Sequence, residues 1–244
     1  MSFVLDSAGI LRVPEWLDAQ WLVHGFTTAV TGDFTRGRAD ERQTVEAIEA
    51  AGMRVRTPRQ VHSNLVVSVN GDQGSAHGAP DPEADGLITS RAGEVVAVRT
   101  ADCVPILLVD RRDRVVGAVH AGWRGTVAEI ARRAVECVSA EFGCPADGLE
   151  AAIGPAIGPC CFEVGDEVAA QFAPSLIHSK AKPHIDLIEA NRRQLMQAGL
   201  RDELIRRAGT CTFCAPEALY SYRRQGGESG RMLAFAGIRA NPLG

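Results

Sequence analysis

Residues 95–125, VVAVRTADCVPILLVDRRDRVVGAVHAGWRG, decide how this chain folds. The stretch contains three short runs rich in β-branched residues, 95–99, 104–110 and 115–120, and runs of this length and composition between polar residues read as strands. Arg111-Arg112-Asp113-Arg114 reads as the hairpin turn joining the last two. Reactive side chains stand at two of the junctions. Cys103 lies in Thr100-Ala101-Asp102-Cys103-Val104-Pro105, between two strands. His120 opens His120-Ala121-Gly122-Trp123-Arg124-Gly125, where a strand gives way to a glycine-flanked turn. A strand end holds a side chain rigidly and leaves it reachable, as a metal ligand or nucleophile requires.

Working outward, 22–28, 60–70 and 86–90 read as strands and 39–53 as a helix. The Gly- and Pro-rich segment 71–83 reads as a long loop of the kind that often serves as a lid or binding element. After residue 125, Thr126 and Glu129 have the spacing of a capping box. Val127, Ile130, Ala131, Ala134, Val135, Val138 and Phe142 then recur at helical spacing until Gly143 and Pro145 end the helix. A strand is predicted over 149–153, a Gly/Pro loop over 154–161 and a helix over 164–172. A second well-marked helix covers 186–198, with Asp186 as its N-cap and Gly199 past its end, and a closing strand covers 231–238. No internal repeat or linker divides the chain. The strands cluster without strict βαβ alternation, which predicts an α+β fold with mixed sheets in one domain over 1–244.

Bulk properties narrow the function classes. The chain has 244 residues, 45% of them hydrophobic and 23% charged, with a net charge of −4 and 5% aromatics. Such a chain offers neither the basic face nor the stacking platforms of a nucleic-acid partner. Residues 1–13 lack the basic start and apolar stretch of a signal peptide. The longest apolar runs, such as 104–109, fall far short of the ~20 residues that span a bilayer. A cytoplasmic protein without a membrane partner is expected, and its seven cysteines read as reduced thiols or metal ligands. No nucleotide-binding glycine motif occurs. The oligomeric state is left open.

His62, in Arg59-Gln60-Val61-His62, joins Cys103 and His120 as a candidate. Two His and one Cys suit zinc, leaving a fourth position for water whose pKa the metal lowers to about 7. The same donor set also suits copper. Spacing alone leaves a second reading, a buried thiol and two satisfied histidines. Cys211-x-x-Cys214 can be half of a zinc site, completed by Cys160-Cys161, or a redox pair. The favoured reading is two small apolar side chains. Cys137 and Cys144 read as structural.

Taken together, Gln60-Val61-His62, Ala84-Asp85-Gly86, the segments around Cys103 and His120, residues 153–164 and Ser221-Tyr222-Arg223-Arg224 resemble the laccase-domain (YfiH-type) family, also called the purine nucleoside phosphorylase type. The likeness runs from about Gly25 to the last strand. It implies a single-domain layered αββα sandwich with zinc (copper being possible) on His62, Cys103 and His120, which double as the catalytic residues. It further implies phosphorolysis of adenosine, inosine, guanosine and S-methyl-5′-thioadenosine, with deamination of adenosine, so that nucleoside and phosphate are the expected partners. Arg124 and Arg223, with Arg224 behind them, are the candidates for phosphate, because arginine offers a planar fork of donors. Cys161 is a candidate pocket residue, and Asp102 either orients a neighbour or caps a turn. The chain departs from the family at Phe162, where members often have Tyr, and at Ala29-Val30-Thr31-Gly32, where many carry an Arg and a longer Gly-rich stretch. Three other functions stay open: a copper-dependent polyphenol oxidase, a thiol or zinc-hydroxide amide hydrolase that edits cell-wall precursors, and a non-catalytic binding protein.

Overall fold

The computed structural model describes residues 3–70, 82–179 and 182–240. The predicted loop lies outside them except for Pro82 and Glu83, as does His77. Two six-stranded mixed sheets make the frame. The first runs, in spatial order, β1 (Val4–Leu5), β2 (Ile10–Arg12), β3 (Leu22–Thr27), β12 (Met232–Ile238), β7 (Glu94–Thr100) and β4 (Arg54–Arg56). The second runs β11 (Ile205–Arg207), β10 (Glu150–Ile153), β8 (Val104–Asp110), β9 (Val115–Ala121), β6 (Gly86–Thr89) and β5 (Val66–Ser68). The pairs β4–β7, β5–β6 and β10–β11 are parallel and the rest antiparallel.

Strand alternation sorts the side chains into layers, because successive residues of a strand point to opposite faces. Val96 and Val98 of β7, Leu107 and Val109 of β8, Val116 and Ala118 of β9, and Ala234 and Ala236 of β12 meet between the sheets. The intervening Val95, Ala97, Leu233 and Phe235 pack with Ile48 of helix α1 (Ala39–Ala50) on the outside of the first sheet. Ile106, Leu108, Val115 and Val119 pack against α3 (Ile130–Phe142) and α5 (Leu187–Gln197) on the outside of the second. The result is the expected αββα sandwich. Each fully buried Val or Leu contributes about 1.5–3 kcal/mol to it.

Several local readings are corrected. Residues 123–142 form two helices, α2 (Trp123–Val127) and α3, with Glu129 in a left-handed conformation between them at φ 61°. Thr126 is therefore inside α2. Its hydroxyl accepts from Asn191 of α5, and Glu129 pairs with Arg132, so no capping box forms. Of the strand predicted over 60–70 only β5 forms, because Val61, His62 and Ser63 turn their amides onto Asp85. The helix predicted over 164–172 shrinks to the single turn α4 (Asp166–Ala169). Asp186 does cap α5, accepting from the Glu189 amide at 2.8 Å, and Gly143 ends α3 at φ 68°.

Candidate functional site

The site forms where the second sheet meets the segment before β5. The alternation that sends Val116 and Ala118 into the core puts His120 on the same face near the end of β9. Cys103 precedes β8, and His62 sits on the turn between β4 and β5. One ligand atom from each lies within 4.8 Å of the other two, and the imidazole rings meet edge to face at 4.9 Å. The rigid frame buries His120, half-buries Cys103 and leaves His62 exposed.

Asp85 organises this group. Its side chain has no exposed surface. It accepts from the amides of Val61, His62 and Ser63, from the Ser63 hydroxyl, and from Nδ1 of His120 at 2.9 Å. Fixing Nδ1 as the donor leaves Nε2 of His120 with its lone pair free to bind a metal. Burial alone would raise the Asp85 carboxyl, but the His120 and Ser63 hydrogen bonds hold it down at about 2. Burial would likewise raise the Cys103 thiol. The neighbouring His120 charge and hydrogen bonds from both rings bring it down to about 6. Burial opposes the charged form of His120, yet the Cys103 thiolate and Asp85 raise its pKa to about 9. Both shifts run in the direction that favours a thiolate beside an imidazolium when no metal is bound.

The glycines of the His120 segment follow from this crowding. A Cβ at Gly122 would sit 3.0 Å from His62 Cδ2 and 3.3 Å from Cys103 Sγ. At Gly125 it would lie 2.8 Å from the Ser63 carbonyl. Two non-glycine residues beside the site also hold left-handed backbone, His62 at φ 58° and Asp102 at φ 93°. Such strain persists only where the surroundings impose it. For Asp102 the restraint is visible: one carboxylate oxygen accepts from the Thr212 hydroxyl and the other from the Arg223 amide, each at 2.6 Å. Asp102 thus braces the backbone that presents Cys103.

The three side chains line a cavity of about 780 Å³, together with Phe162, Tyr222 and the arginines 36, 59, 99, 223 and 231. Arg223 lies over the Phe162 ring at 5.4 Å and donates to the Glu163 carbonyl at 2.9 Å. Arg124 is not in the cavity. It is exposed and stacks on Trp123 at 4.3 Å, because the short helix α2 turns it outward. Arg224 is occupied by the carbonyls of Thr212, Phe213 and Leu219. Cys161 also lies outside the cavity, its sulfur 3.4 Å from that of Cys214. Thr35 and Arg36, which follow the 29–32 stretch closely, border the cavity. Elsewhere, His24 accepts from the Val13 amide and packs on Trp16.

Sequence reasoning missed the part played by Asp85, although the residue stood in a segment already singled out. It missed Thr212 altogether, since nothing local marks a hydroxyl aimed at a carboxylate 110 positions away.

The two histidines and the thiol fit a metal ion: they are a zinc-type donor set, close enough to share one centre, with a carboxylate behind one imidazole. Among the described residues no helix is long and apolar enough to cross a membrane. Comparison with known proteins agrees with the geometry. The profile of the multi-copper polyphenol oxidoreductase laccase family matches residues 26–239. A purine nucleoside phosphorylase, YlmD of Geobacillus stearothermophilus, is 41% identical over 196 residues, covering 74% of this chain and 70% of its own. Adenosine deaminase RL5, from an unknown prokaryote, is 40% identical over 195 residues, covering 74% and 73%. The crystal structure of YlmD from G. stearothermophilus superimposes with a TM-score of 0.85 at 32% identity, covering 97% of this chain and 98% of that one.

Proposed function

The chain belongs to the multi-copper polyphenol oxidoreductase laccase family, and on that footing we propose that it is a zinc-dependent purine nucleoside phosphorylase acting on adenosine, inosine, guanosine and S-methyl-5′-thioadenosine, with adenosine deaminase activity. The observation that carries this reading is the position of His62, Cys103 and His120 in a cavity that also presents arginines and two aromatic rings. Relatives named for these two activities support it. Zinc on the three side chains would supply a Lewis acid and an ionised water at neutral pH.

The chain's own residues supply the remainder. Phe162 and Tyr222 supply aromatic surface to the cavity lining, suited to packing against a purine ring. Arg223, oriented by the Glu163 carbonyl and the Phe162 ring, would offer cationic N–H groups to a phosphate, and Arg36, Arg59 and Arg231 also line the cavity. Asp85 and Asp102 hold His120 and Cys103 in position.

The test is a nucleoside assay with and without phosphate on metal-analysed protein, wild type and Cys103→Ala. Free base should appear only with phosphate, ammonia should appear from adenosine, and the variant should do neither. Metal-loaded protein that leaves adenosine, inosine and methylthioadenosine untouched defeats the proposal.

A second reading draws on the hydrogen-bonded order Cys103, His120, Asp85, which is the arrangement of a thiol nucleophile, its base and the group orienting that base. It would serve an amide hydrolase editing cell-wall precursors. A metal-free enzyme yielding a trapped acyl-Cys103 would favour it. Copper oxidation of phenols has weaker support, since the chain has six histidines and no His-x-His pair.

A further inference from the structure

Four cysteines that the cavity does not use come together beside it. Cys160 and Cys161 lie on the loop after β10, and Cys211 and Cys214 on the loop after β11. Parallel pairing of those two strands, continued by the bridge between Ala156 and Cys211, brings the loops side by side. All four sulfurs lie within 4.8 Å of one another; Cys214 Sγ is 3.7 Å from that of Cys160 and 3.4 Å from that of Cys161. A tetrahedral ion with bonds of about 2.3 Å to sulfur requires its ligands about 3.8 Å apart. The four thiols therefore stand at nearly the spacing of such a shell, and none of them is in a disulfide.

The backbone is arranged for the same purpose. The Gly158 amide donates to Cys211 Sγ at 3.2 Å, a hydrogen bond that favours a thiolate. Gly158 leaves the cluster room: a Cβ there would lie a tight 3.3 Å from both Cys160 Sγ and Cys211 Cβ. Arg224 grips the carbonyls of Thr212 and Phe213 and so fixes the turn that carries Cys211 and Cys214. These bonds keep sulfurs from two separate loops pointing at one centre.

We propose that Cys160, Cys161, Cys211 and Cys214 form a second metal centre, a closed tetrathiolate zinc site that clamps the loop after β10 to the loop after β11. Binding releases the thiol protons to solvent as the four zinc–sulfur bonds form. A closed shell of four thiolates leaves no place for a reactant, so the centre is structural. Its effect reaches the cavity through Thr212, which lies within the clamped turn and whose hydroxyl holds Asp102 next to Cys103. It shares no ligand with the His62–Cys103–His120 group and does not depend on which reaction that group performs.

The test is metal analysis and cobalt substitution on protein purified under thiol reductant. Wild type should carry two zinc ions per chain. Cys103→Ala and the double variant Cys211→Ser, Cys214→Ser should each carry one. Cobalt-loaded Cys103→Ala should show the strong visible bands and sulfur-to-cobalt charge transfer of four thiolates, and the double variant should lose them. Should either variant fail to fold, cobalt-loaded wild type decides alone, because a centre with a single sulfur ligand cannot give four-thiolate intensity. The proposal is overturned by Cys103→Ala protein without metal, by iron in place of zinc, or by a Cys161–Cys214 disulfide that persists under reductant. None of these readouts is enzymatic, so a failed nucleoside assay leaves the result unaffected.

Discussion

The two sulfur-bearing centres are built on opposite plans. His62, Cys103 and His120 come mostly from the ends of sheet strands, mix nitrogen with sulfur, and open onto a cavity of about 780 Å³. Cys160, Cys161, Cys211 and Cys214 come from two surface loops, offer sulfur only, and close on themselves. Three ligands and a vacancy suit a reacting molecule, whereas four thiolates suit a clamp. On the two proposals made above, the chain would keep reactivity where the sheets hold the ligands and use a metal to clamp two loops.

Removing Cys103 should have the largest effect and should divide the two centres. Cys103→Ala takes away the only sulfur of the cavity group, so turnover should fall about a thousandfold or more, since the metal's contribution is worth several kcal/mol. Its four-cysteine centre should stay loaded. Comparable loss from Cys211→Ser would show that both centres take part in the chemistry.

Asp85→Asn should weaken metal binding at the cavity site by about 10–100-fold, because the carboxylate sets the tautomer and orientation of His120. Competition with a chelator measures this, and unchanged affinity would strip Asp85 of that part. Among the described residues Asp85 bonds to residues 61–63 and His120 and to none of the four cysteines, so binding there should not respond.

Alkylation of metal-free, reduced protein compares the thiols directly. Cys103, with its pKa lowered to about 6, is mostly thiolate at pH 7 and should lose reactivity only as the pH falls through that value. Burial and the neighbouring thiols push Cys160 up to about 11. Peptide mass spectrometry should find Cys103 alkylated at least about tenfold faster than Cys160 at pH 7, although Cys160 is the more exposed. The reverse order would contradict the thiolate–imidazolium pair.

The smallest effect is expected at the joint between the centres. Thr212→Val removes one of the two partners of Asp102 and leaves a buried oxygen unsatisfied, which should cost about 1–3 kcal/mol in urea unfolding. A variant of unchanged stability would leave the cavity and the loops uncoupled.

The sequence by itself determined the mixed α+β class, the central hairpin, the caps at Asp186 and Gly143, and which three side chains to watch, because strand alternation, helix capping and motif chemistry are written over a few adjacent residues. Where the local pattern was strong but a distant partner was stronger, the reading failed. Residues 61–63 leave the strand pattern to satisfy Asp85, and Thr126 gives up its capping role to accept from Asn191. Only the tertiary structure made Asp85 a hub, turned Arg124 away from the cavity, and joined Cys160-Cys161 to Cys211-x-x-Cys214. Each of those outcomes depends on strand pairings and packing between segments tens of residues apart, and no short window of sequence records which distant segments will meet.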